Sequence, residues 1–452
     1  MLSFKLSLFS SAVEQLIRNE QVVGSNPMRG SFLVVSCQLS VVSKKLSLIF
    51  HNPTSLQEQV ASPLTRFAMT PKQSRCLQII LLSVICFFFT ACSNPHTPST
   101  QAEPFYLPQY AKGFWIEQSG DDKVLHIKNP WQGAEGVQYS YRLVSREDKE
   151  ALTTSLMNIP VPLKRVVCLS TTHLAYIDAL QETETVIGIS GAGYVSNALI
   201  RAALSKGKVK DVGYESGISY ESLAVLQPDV VFAYGVAGEM SAVVDKINSM
   251  GIRVVFLGDY LEDSPLGKAE YMVAVSAFYG KEAEAEALFA CVVEDYTAVK
   301  VLAAEPTYRP KVILNAPWRN AWYIPGGANY LSTLITDAGG EVLGAREGSR
   351  ESAPISLEKA YTYALQANYW LHPNMAHSLA ELKSNDPRFA AIPAFRQHRV
   401  FNNTLRRRPE GGSDFWESGV VQPHIILRDL IRILHPDLLP EHRLVYYEQL
   451  AP

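Results

Sequence analysis

From Arg165 onward, short apolar runs alternate with segments in which apolar residues recur at helical spacing. Runs such as "RVVCLS", "VVFAYG" and "IRVVFLG" predict strands that are buried on both faces, and "EMSAVVDKINSMG" predicts a helix that ends at a glycine. Strands and helices that alternate in this way are typical of a mainly parallel sheet covered by helices. The pattern occurs once before and once after a long helical region, so it predicts an α/β protein with two Rossmann-like lobes.

The long helical region lies between the two sets. Its second half repeats apolar residues at helical spacing, namely Ala285, Leu288, Phe289, Val292, Tyr296 and Val299. Gly280 interrupts the region, so we expect two helices or a kink there. Ahead of the first lobe, "GFWIEQ", "KVLHIKN" and "VQYSYRLV" are separated by turn sequences and predict a small β-hairpin or meander at the edge of that lobe.

One short pattern is repeated in the two lobes. "ISYESLAVLQPDVVFAYG" (218–235) and "ISLEKAYTYALQANYWLH" (355–372) each place a glutamate, Glu221 or Glu358, near the start of a predicted helix that precedes an apolar run. Ser219 and Ser356 could be N-caps, and an acid in the first turn is favoured by the helix dipole. The second copy is two residues longer before its Leu-Gln and lacks the Pro-Asp of the first.

Upstream of the lobes, the segment Met69–Cys92 reads "MTPKQSRCLQIILLSVICFFFTAC". Basic residues, an apolar run and a small residue follow one another in the order of a secretory signal, and the run is too short for a comfortable membrane span. The ending resembles the lipobox of bacterial lipoproteins, which implies cleavage before Cys92 and lipidation of its thiol. The alternative is a buried hydrophobic segment with a chance cysteine.

The first 68 residues contain "VVGSNP", and Gly-Ser-Asn-Pro is the translation of the GGTTCGAATCC sequence of a tRNA T-arm. We therefore expect residues 1–68 to be an upstream translation of a tRNA gene and its flank. A genuine disordered or targeting extension is the alternative.

Composition narrows the class of protein. A chain of 452 residues is too long for one core, and 47% hydrophobic and 19% charged residues are typical of globular domains. The net charge of −3 gives no electrostatic reason for a nucleic-acid partner. The six cysteines show no CxxC spacing, which argues against a zinc ribbon or a thioredoxin-type pair.

The order of these pieces resembles the substrate-binding lipoproteins of bacterial iron-siderophore, haem and cobalamin ABC importers. The resemblance runs from about Arg165 to the C-terminus, and its best segments are "SYESLAVLQPDVVFA" and "YIPGGANYLSTLITDAGGE". It implies two lobes joined by one long helix, with no catalytic activity and no resident cofactor. It also implies a monomer, anchored by its lipid on the periplasmic or another extracytoplasmic side of a membrane.

The resemblance further implies a partner and a cargo. The partner would be an ABC permease dimer with its ATPase, and Glu221 and Glu358 would contact basic residues on the two permease subunits. The cargo would be an iron-siderophore or a related metal macrocycle, with haem and cobalamin as alternatives within the family.

These expectations divide the chain into seven segments. They are an upstream translation (1–68), a signal peptide (69–91), a flexible tether (92–109), a β-hairpin extension (110–160), the N-terminal lobe (161–265), a linking helix region (266–305) and the C-terminal lobe (306–452).

The cargo cleft is expected at loops that follow the carboxyl ends of the strands, where open α/β sheets usually bind ligands. The aromatic, basic and histidine side chains in such loops are candidates for ligand contact: His173, Tyr194, Tyr234, Trp318, Arg319, Trp322, Tyr323, Arg406, Arg407, Arg408 and Trp416. Aromatic faces suit a macrocycle or a catecholate, and guanidinium groups suit carboxylate or phenolate oxygens.

Several of the candidates have a plainer interpretation. The arginine run could be a solvated turn, and Trp318 and Trp322 could be core residues. His173 could be an axial ligand for haem or cobalt, or it could have only a structural role.

Two other classes of protein remain open. One is a two-lobed α/β enzyme such as a glycosyltransferase or a metal-cluster enzyme, although the sequence has no GxSxG, Walker or HExxH motif and only Cys168 and Cys291 follow Cys92, which cannot hold a cluster alone. The other is a direct zinc or manganese receptor, which needs about three clustered ligands that the scattered histidines do not supply.

Overall fold

A computed structural model describes residues 104–214, 217–235, 239–374 and 376–452. The predicted upstream translation, the signal segment and the lipidation site Cys92 lie outside the described residues and stay predictions. Pro104–Pro452 fall within one unit of the fold. No helix in the described ranges is long and apolar enough to cross a membrane.

The N-terminal extension is a five-stranded sheet, which is larger than the predicted hairpin. Its elements are β1 (Pro104–Tyr106), β2 (Phe114–Ser119), β3 (Asp122–Lys128), β4 (Gln138–Ser145), α1 (Lys149–Thr154) and β5 (Asn158–Val161). The strands follow one another in sheet order, and all neighbours are antiparallel except the parallel pair β4 and β5.

The first lobe has a fully parallel sheet, as predicted. Its elements are β6 (Val166–Cys168), α2 (Thr171–Ala179), β7 (Val186–Ile189), α3 (Ala198–Ser205), β8 (Lys210–Asp211), α4 (Tyr220–Leu226), β9 (Val230–Ala233), α5 (Glu239–Ser249) and β10 (Val254–Phe256). The strand order is β10-β9-β6-β7-β8. All residues of β6, β9 and β10 are buried, which explains their continuous apolar runs.

Two helices follow, α6 (Pro265–Ser276) and α7 (Glu282–Ala304). The predicted break at Gly280 is confirmed, because Gly280 lies between them with a φ of 68°. Every residue of α6 is buried. The apolar residues predicted to form one face of α7 are buried as well.

The second lobe has a mainly parallel sheet. Its elements are β11 (Lys311–Leu314), β12 (Trp322–Ile324), α8 (Tyr330–Asp337), β13 (Glu341–Val342), β14 (Ala353–Ile355), α9 (Leu357–Ala364), β15 (Tyr369–Leu371), α10 (Leu379–Asn385), α11 (Pro393–Arg396), β16 (Val400–Asn402), α12 (Ser418–Val421), α13 (Pro423–Leu434) and β17 (Glu448–Gln449). The strand order is β13-β11-β15-β16-β17, and only β17 is antiparallel to its neighbour. β12 and β14 form a separate antiparallel pair.

Buried carboxylates attach the N-terminal sheet to the rest of the unit. Glu270 on α6, which is fully buried, accepts hydrogen bonds from the Tyr106 hydroxyl and from the backbone N–H groups of Gln109, Tyr110 and Ala111 at 2.7–2.8 Å. These bonds satisfy the donors of a segment without regular structure, so the sheet is held firmly on α6.

Candidate functional site

A cavity of about 670 Å³ lies between the two lobes, and we call it the interlobe cavity. Three parts of the chain line it. The N-terminal sheet contributes Lys112, Gly113, Lys128, Asn129, Trp131, Gln132, Gly133 and Ala134, the first lobe contributes Gly258, Tyr260, Leu261, Glu262 and Asp263, and the second lobe contributes Ala328, Asn329, Tyr330, Arg350, Glu351 and Ser352. The first-lobe residues follow β10 directly, so the cavity lies at the carboxyl end of a parallel strand, where such sheets bind ligands.

Asp263 connects all three parts of this wall. Its carboxylate lies 3.0 Å from Lys112 Nζ and 3.1 Å from Arg350 Nε. Its backbone oxygen accepts a hydrogen bond of 3.0 Å from the Thr333 hydroxyl of α8. Asp263 therefore balances two of the three cationic side chains in the cavity wall.

The neighbouring Glu262 is buried, and its carboxylate accepts the backbone N–H groups of Lys112 and Gly113 at 2.8 and 2.9 Å. Burial raises the pKa of Glu262 to about 7, although these two hydrogen bonds act in the opposite direction. The side chain thus ties the start of β2 to the first lobe beside the cavity.

The aromatic part of the wall is formed by Trp131, Tyr260 and Tyr330. The Trp131 ring packs edge-on against Phe256 at 5.5 Å and Tyr139 at 6.1 Å between centroids. The Tyr260 hydroxyl accepts a hydrogen bond of 3.0 Å from the backbone of Gln132 and donates one to the Gly235 carbonyl.

A second contact between the lobes is formed by residues 191–197 and 405–417, which we call the interlobe seam. Glu417, which is buried, accepts the backbone N–H groups of Ser196 and Asn197 at 2.8 and 2.6 Å. The Thr172 hydroxyl donates to the Trp416 carbonyl at 3.1 Å.

Two predicted ligand residues, Tyr194 and Trp416, lie in the seam. Tyr194 is 41% exposed and packs on Tyr214 at 5.2 Å, and Trp416 is 38% exposed and packs on the cavity residue Tyr330 at 6.0 Å. Neither residue lines the interlobe cavity itself.

The predicted arginine run also belongs to the seam, but its guanidinium groups contact their own lobe. Arg406 lies 2.7 Å from Asp414, Arg407 lies 2.9 Å from His377 Nε2, and Arg408 lies 3.9 Å from Glu410. These contacts position the loop, and the cavity takes its positive charge from other residues.

The structure divides the predicted cluster of Trp318, Arg319, Trp322 and Tyr323: the first two lie before β12, and the alternation of β12 separates Trp322 from Tyr323. Trp318 is 63% exposed with the Arg319 guanidinium 5.9 Å from its ring, and Tyr323 is 41% exposed. Trp322 is fully buried and donates to the Leu314 carbonyl at 2.7 Å. Its side chain belongs to the core of the second lobe, which favours the plainer interpretation of Trp322 as a core residue.

Burial also favours the structural interpretation of His173. Its ring is fully buried on α2, with Nε2 3.7 Å from Asp259 and with Phe232 and Tyr234 as aromatic neighbours. A ring without solvent exposure does not reach a ligand in this arrangement. Tyr234 lies nearer the site, since its ring is 6.4 Å from that of the cavity residue Tyr260.

A buried cation lies between the cavity and the seam. Lys268 on α6 is 3.9 Å from Asp259, 5.4 Å from the centre of the Tyr330 ring and 5.8 Å from that of Trp416. Burial lowers the pKa of Lys268, against the effect of Asp259 and Glu262. Its contacts with two aromatic rings of the second lobe hold α6 against that lobe. Among the described residues, no group of three or more His, Cys, Asp or Glu side chains could hold a metal ion.

Sequence reasoning missed the residues of the N-terminal sheet that line the cavity. The one available signal was Trp131, a large aromatic residue in the turn sequence "NPWQGAEG". A tryptophan in a predicted surface turn needs a partner, but the sequence did not indicate which one.

Glu221 and Glu358 occupy equivalent, exposed positions on α4 and α9. Ser219 and Ser356 are the N-caps, and their hydroxyls accept the N–H groups of Ser222 and Lys359 at 3.1 and 3.3 Å. The predicted caps are confirmed, and each glutamate lies in the first turn of its helix.

Residues 166–404 match the model of the Periplasmic binding protein family. The chain belongs to this family. It is therefore a binding protein and not an enzyme, which removes the glycosyltransferase and metal-cluster alternatives.

Individual relatives are distant. An uncharacterized lipoprotein of Methanocaldococcus jannaschii is 28% identical over 340 residues, which cover 70% of this chain and 79% of the relative. An uncharacterized protein of the same organism is 22% identical over 321 residues, 66% of this chain and 93% of the relative.

Two solved structures are similarly distant in sequence. A periplasmic binding protein from Veillonella parvula is 14% identical with a TM-score of 0.48, covering 68% of this chain and 97% of that one. A periplasmic heme binding protein from Pseudomonas aeruginosa is 18% identical with a TM-score of 0.47, covering 64% and 99%.

Proposed function

We propose that this protein captures an iron complex of the siderophore type, or a related metal macrocycle such as haem or cobalamin, and delivers it to an ABC permease. The observation that carries the proposal is the interlobe cavity, which is built from both lobes and has a volume of about 670 Å³. Small-molecule sites commonly span about 300–1,000 Å³.

The chemistry of the wall supports a chelate as the cargo. Three aromatic side chains offer flat apolar surface, and Lys112, Lys128 and Arg350 offer positive charge beside it. Aromatic faces suit a macrocycle or catecholate, and cationic groups suit its carboxylate or phenolate oxygens.

A screen of the purified chain against haemin, cyanocobalamin and ferric tris-catecholate tests the proposal. A ligand that binds only the folded state at about 100 times its Kd adds about 2.7 kcal/mol to the free energy of unfolding and so raises Tm. Arg350→Ala should weaken binding by about tenfold or more, as expected for one lost charge-assisted contact. The matched control is Arg443→Ala, an exposed position that does not line the cavity. No binding of any of the three probes would contradict the proposal.

We also propose lipid anchoring at Cys92 on the extracytoplasmic side. The "FTAC" ending and the lipoprotein names of two relatives support it. Cys92→Ser should release the protein from membranes or leave it unprocessed. An intact mass that begins upstream of Met69 would contradict both the anchor and the interpretation of residues 1–68.

Glu221 and Glu358 are proposed as docking residues for the two permease subunits. Their support is their equivalent exposure at the start of equivalent helices, one in each lobe. Exposed charges of this kind orient a complex and speed encounter.

A further inference from the structure

The last residue of β3 and the connection to β4 form part of the interlobe cavity, although they lie outside the segment that matches the family. We call this segment (128–137) the β3–β4 loop. Eight of the nineteen lining residues belong to the N-terminal sheet, ahead of residue 166 where the family match begins. Without the N-terminal sheet, a large part of the cavity wall would therefore be missing.

This loop is fixed against the first lobe. Trp131 pairs with Gly235, two residues after the end of β9. A Cβ at Gly235 would lie 2.7 Å from that of Trp131, so the close approach needs the glycine. At the base of the loop, Asn129 donates its N–H to Val137 O at 2.7 Å and accepts from Val137 N at 3.1 Å. A loop held in this way is pre-organised, which reduces the entropy lost on binding.

The same loop reaches the second lobe. Gln132 Nε2 lies 3.4 Å from Glu351 Oε1, while the backbone of Gln132 is bound to Tyr260 of the first lobe. The loop thus borders the cavity between both lobes rather than covering one of them.

Lys128 differs from the other two cations of the cavity in its ion pairing. Lys112 and Arg350 both pair with Asp263. Lys128 is exposed at the cavity, and among the described residues no carboxylate lies within 4.0 Å of its ammonium group. Its charge is available for an anionic group of a ligand.

We propose that the β3–β4 loop is a ligand-binding wall, with the Trp131 ring contacting a flat conjugated part of the cargo and Lys128 pairing with its carboxylate or phenolate oxygen. This inference rests on the proposed function, since it assigns residues and ligand chemistry to the same cavity. It makes the N-terminal sheet a determinant of specificity.

The test measures Kd for haemin, cyanocobalamin and ferric tris-catecholate at low and high salt. Trp131→Ala should weaken binding of the preferred probe at least tenfold. Lys128→Ala should weaken it about threefold to tenfold and reduce the salt dependence, because a screened ion pair is lost. The Lys128→Glu variant should bind the probe more weakly still, whereas Lys128→Arg should restore binding.

Trp115→Ala and Lys149→Ala are the matched controls, since both residues belong to the N-terminal extension and neither lines the cavity. They should bind as the unsubstituted chain does. Trp131→Phe and the Lys128 variants keep the test valid if Trp131→Ala fails to fold, because Lys128 is exposed and Phe retains an aromatic ring.

The two proposals fail in different ways. If the unsubstituted chain binds a probe and the Trp131→Ala, Lys128→Ala and Lys128→Glu variants bind it within twofold, the ligand-binding wall is overturned and the cargo proposal stands. If the unsubstituted chain binds no probe, the cargo proposal is overturned together with the ligand assigned to this wall.

Discussion

The two copies of the repeated pattern form nearly the same structure. In each lobe a serine caps a short helix, a glutamate in the first turn is exposed, and the next strand is inserted beside the first strand of its sheet. In the first lobe that strand is β9 beside β6, and in the second it is β15 beside β11. The repetition in the sequence is therefore a repetition of a helix–strand unit and not of the glutamate alone.

The copies differ at the residue directly before the strand. Asp229 precedes β9 and accepts the N–H groups of Lys164 and Arg165 at 2.8 and 3.0 Å, while Asn368 precedes β15 and accepts the N–H of Lys311 at 2.8 Å. Asn368 thus takes the place of the aspartate that the second copy lacks.

The charge of Asp229 serves an additional contact. Both its oxygens accept hydrogen bonds from the Arg146 guanidinium, at 2.8 and 3.0 Å, and Arg146 follows β4 of the N-terminal sheet. The neutral Asn368 fits a lobe with no such sheet to attach. The first copy therefore has an additional structural role: its Asp229 holds the N-terminal sheet, which contributes to the interlobe cavity.

The largest effect is expected for transport. If the two copies are equivalent docking sites, Glu221→Ala and Glu358→Ala should each reduce uptake, and the double variant should reduce it by more than either. Ligand affinity and melting temperature should stay close to those of the unsubstituted chain, because both side chains are exposed.

Uptake is normalised to binding-competent protein, with a Glu286→Ala, Glu305→Ala double variant on exposed positions as the control. If uptake by the Glu221, Glu358 double variant equals that of the unsubstituted chain, the docking role is contradicted and both glutamates are only helix-capping acids.

The second prediction concerns stability and separates the two copies. Asp229→Ala leaves two backbone donors without an acceptor and removes the Arg146 ion pair, although Arg146 keeps its hydrogen bond to the Pro162 carbonyl. It should lower the free energy of unfolding by about 2–4 kcal/mol. Asn368→Ala leaves one donor and should cost about 1 kcal/mol. Denaturant midpoints measure both losses of stability. Equal losses would show that the Arg146 contact adds nothing to the stability of the fold.

The smallest effect is a pH dependence that Asp229 should show and the neutral Asn368 should not. Burial acts to raise the pKa of Asp229, but hydrogen bonds from Arg146 and from the Lys164 and Arg165 N–H groups outweigh it and lower the pKa below 3.8. The stabilisation is complete above the ordinary value and is lost as the pH falls through the lowered one.

The stability difference between the unsubstituted chain and Asp229→Asn should therefore shrink between about pH 5 and pH 2. Asn368→Ala should show a constant difference over the same range. A pH-independent difference for Asp229→Asn would contradict the role of its charge.

Much of the fold could be predicted from local pattern. The apolar runs of β6, β9 and β10 predicted buried parallel strands, the serines before α4 and α9 are caps, and Gly280 separates α6 from α7. These features depend on residues that are neighbours in the sequence, so the sequence alone determines them.

The site could be predicted only in outline. The carboxyl end of the first-lobe sheet is where the cavity lies, and Tyr260 follows β10 there. The sequence could not show which of Trp322 and Tyr323 is buried, because all three residues of β12 are apolar or aromatic. Packing of Trp322 against Trp370 and Phe389 fixes the buried face.

Tertiary structure alone decided which distant segments meet. Trp131 contacts Gly235 across about a hundred residues of chain because the N-terminal sheet packs on α6 and the first lobe, and Arg350 meets Asp263 because the lobes approach each other. Periodicity assigns each residue to an element but carries no information on which loops of separate elements converge. The lobes and their repeated unit were therefore determined by the sequence, and the three-part cavity by the packing of sheet against lobe.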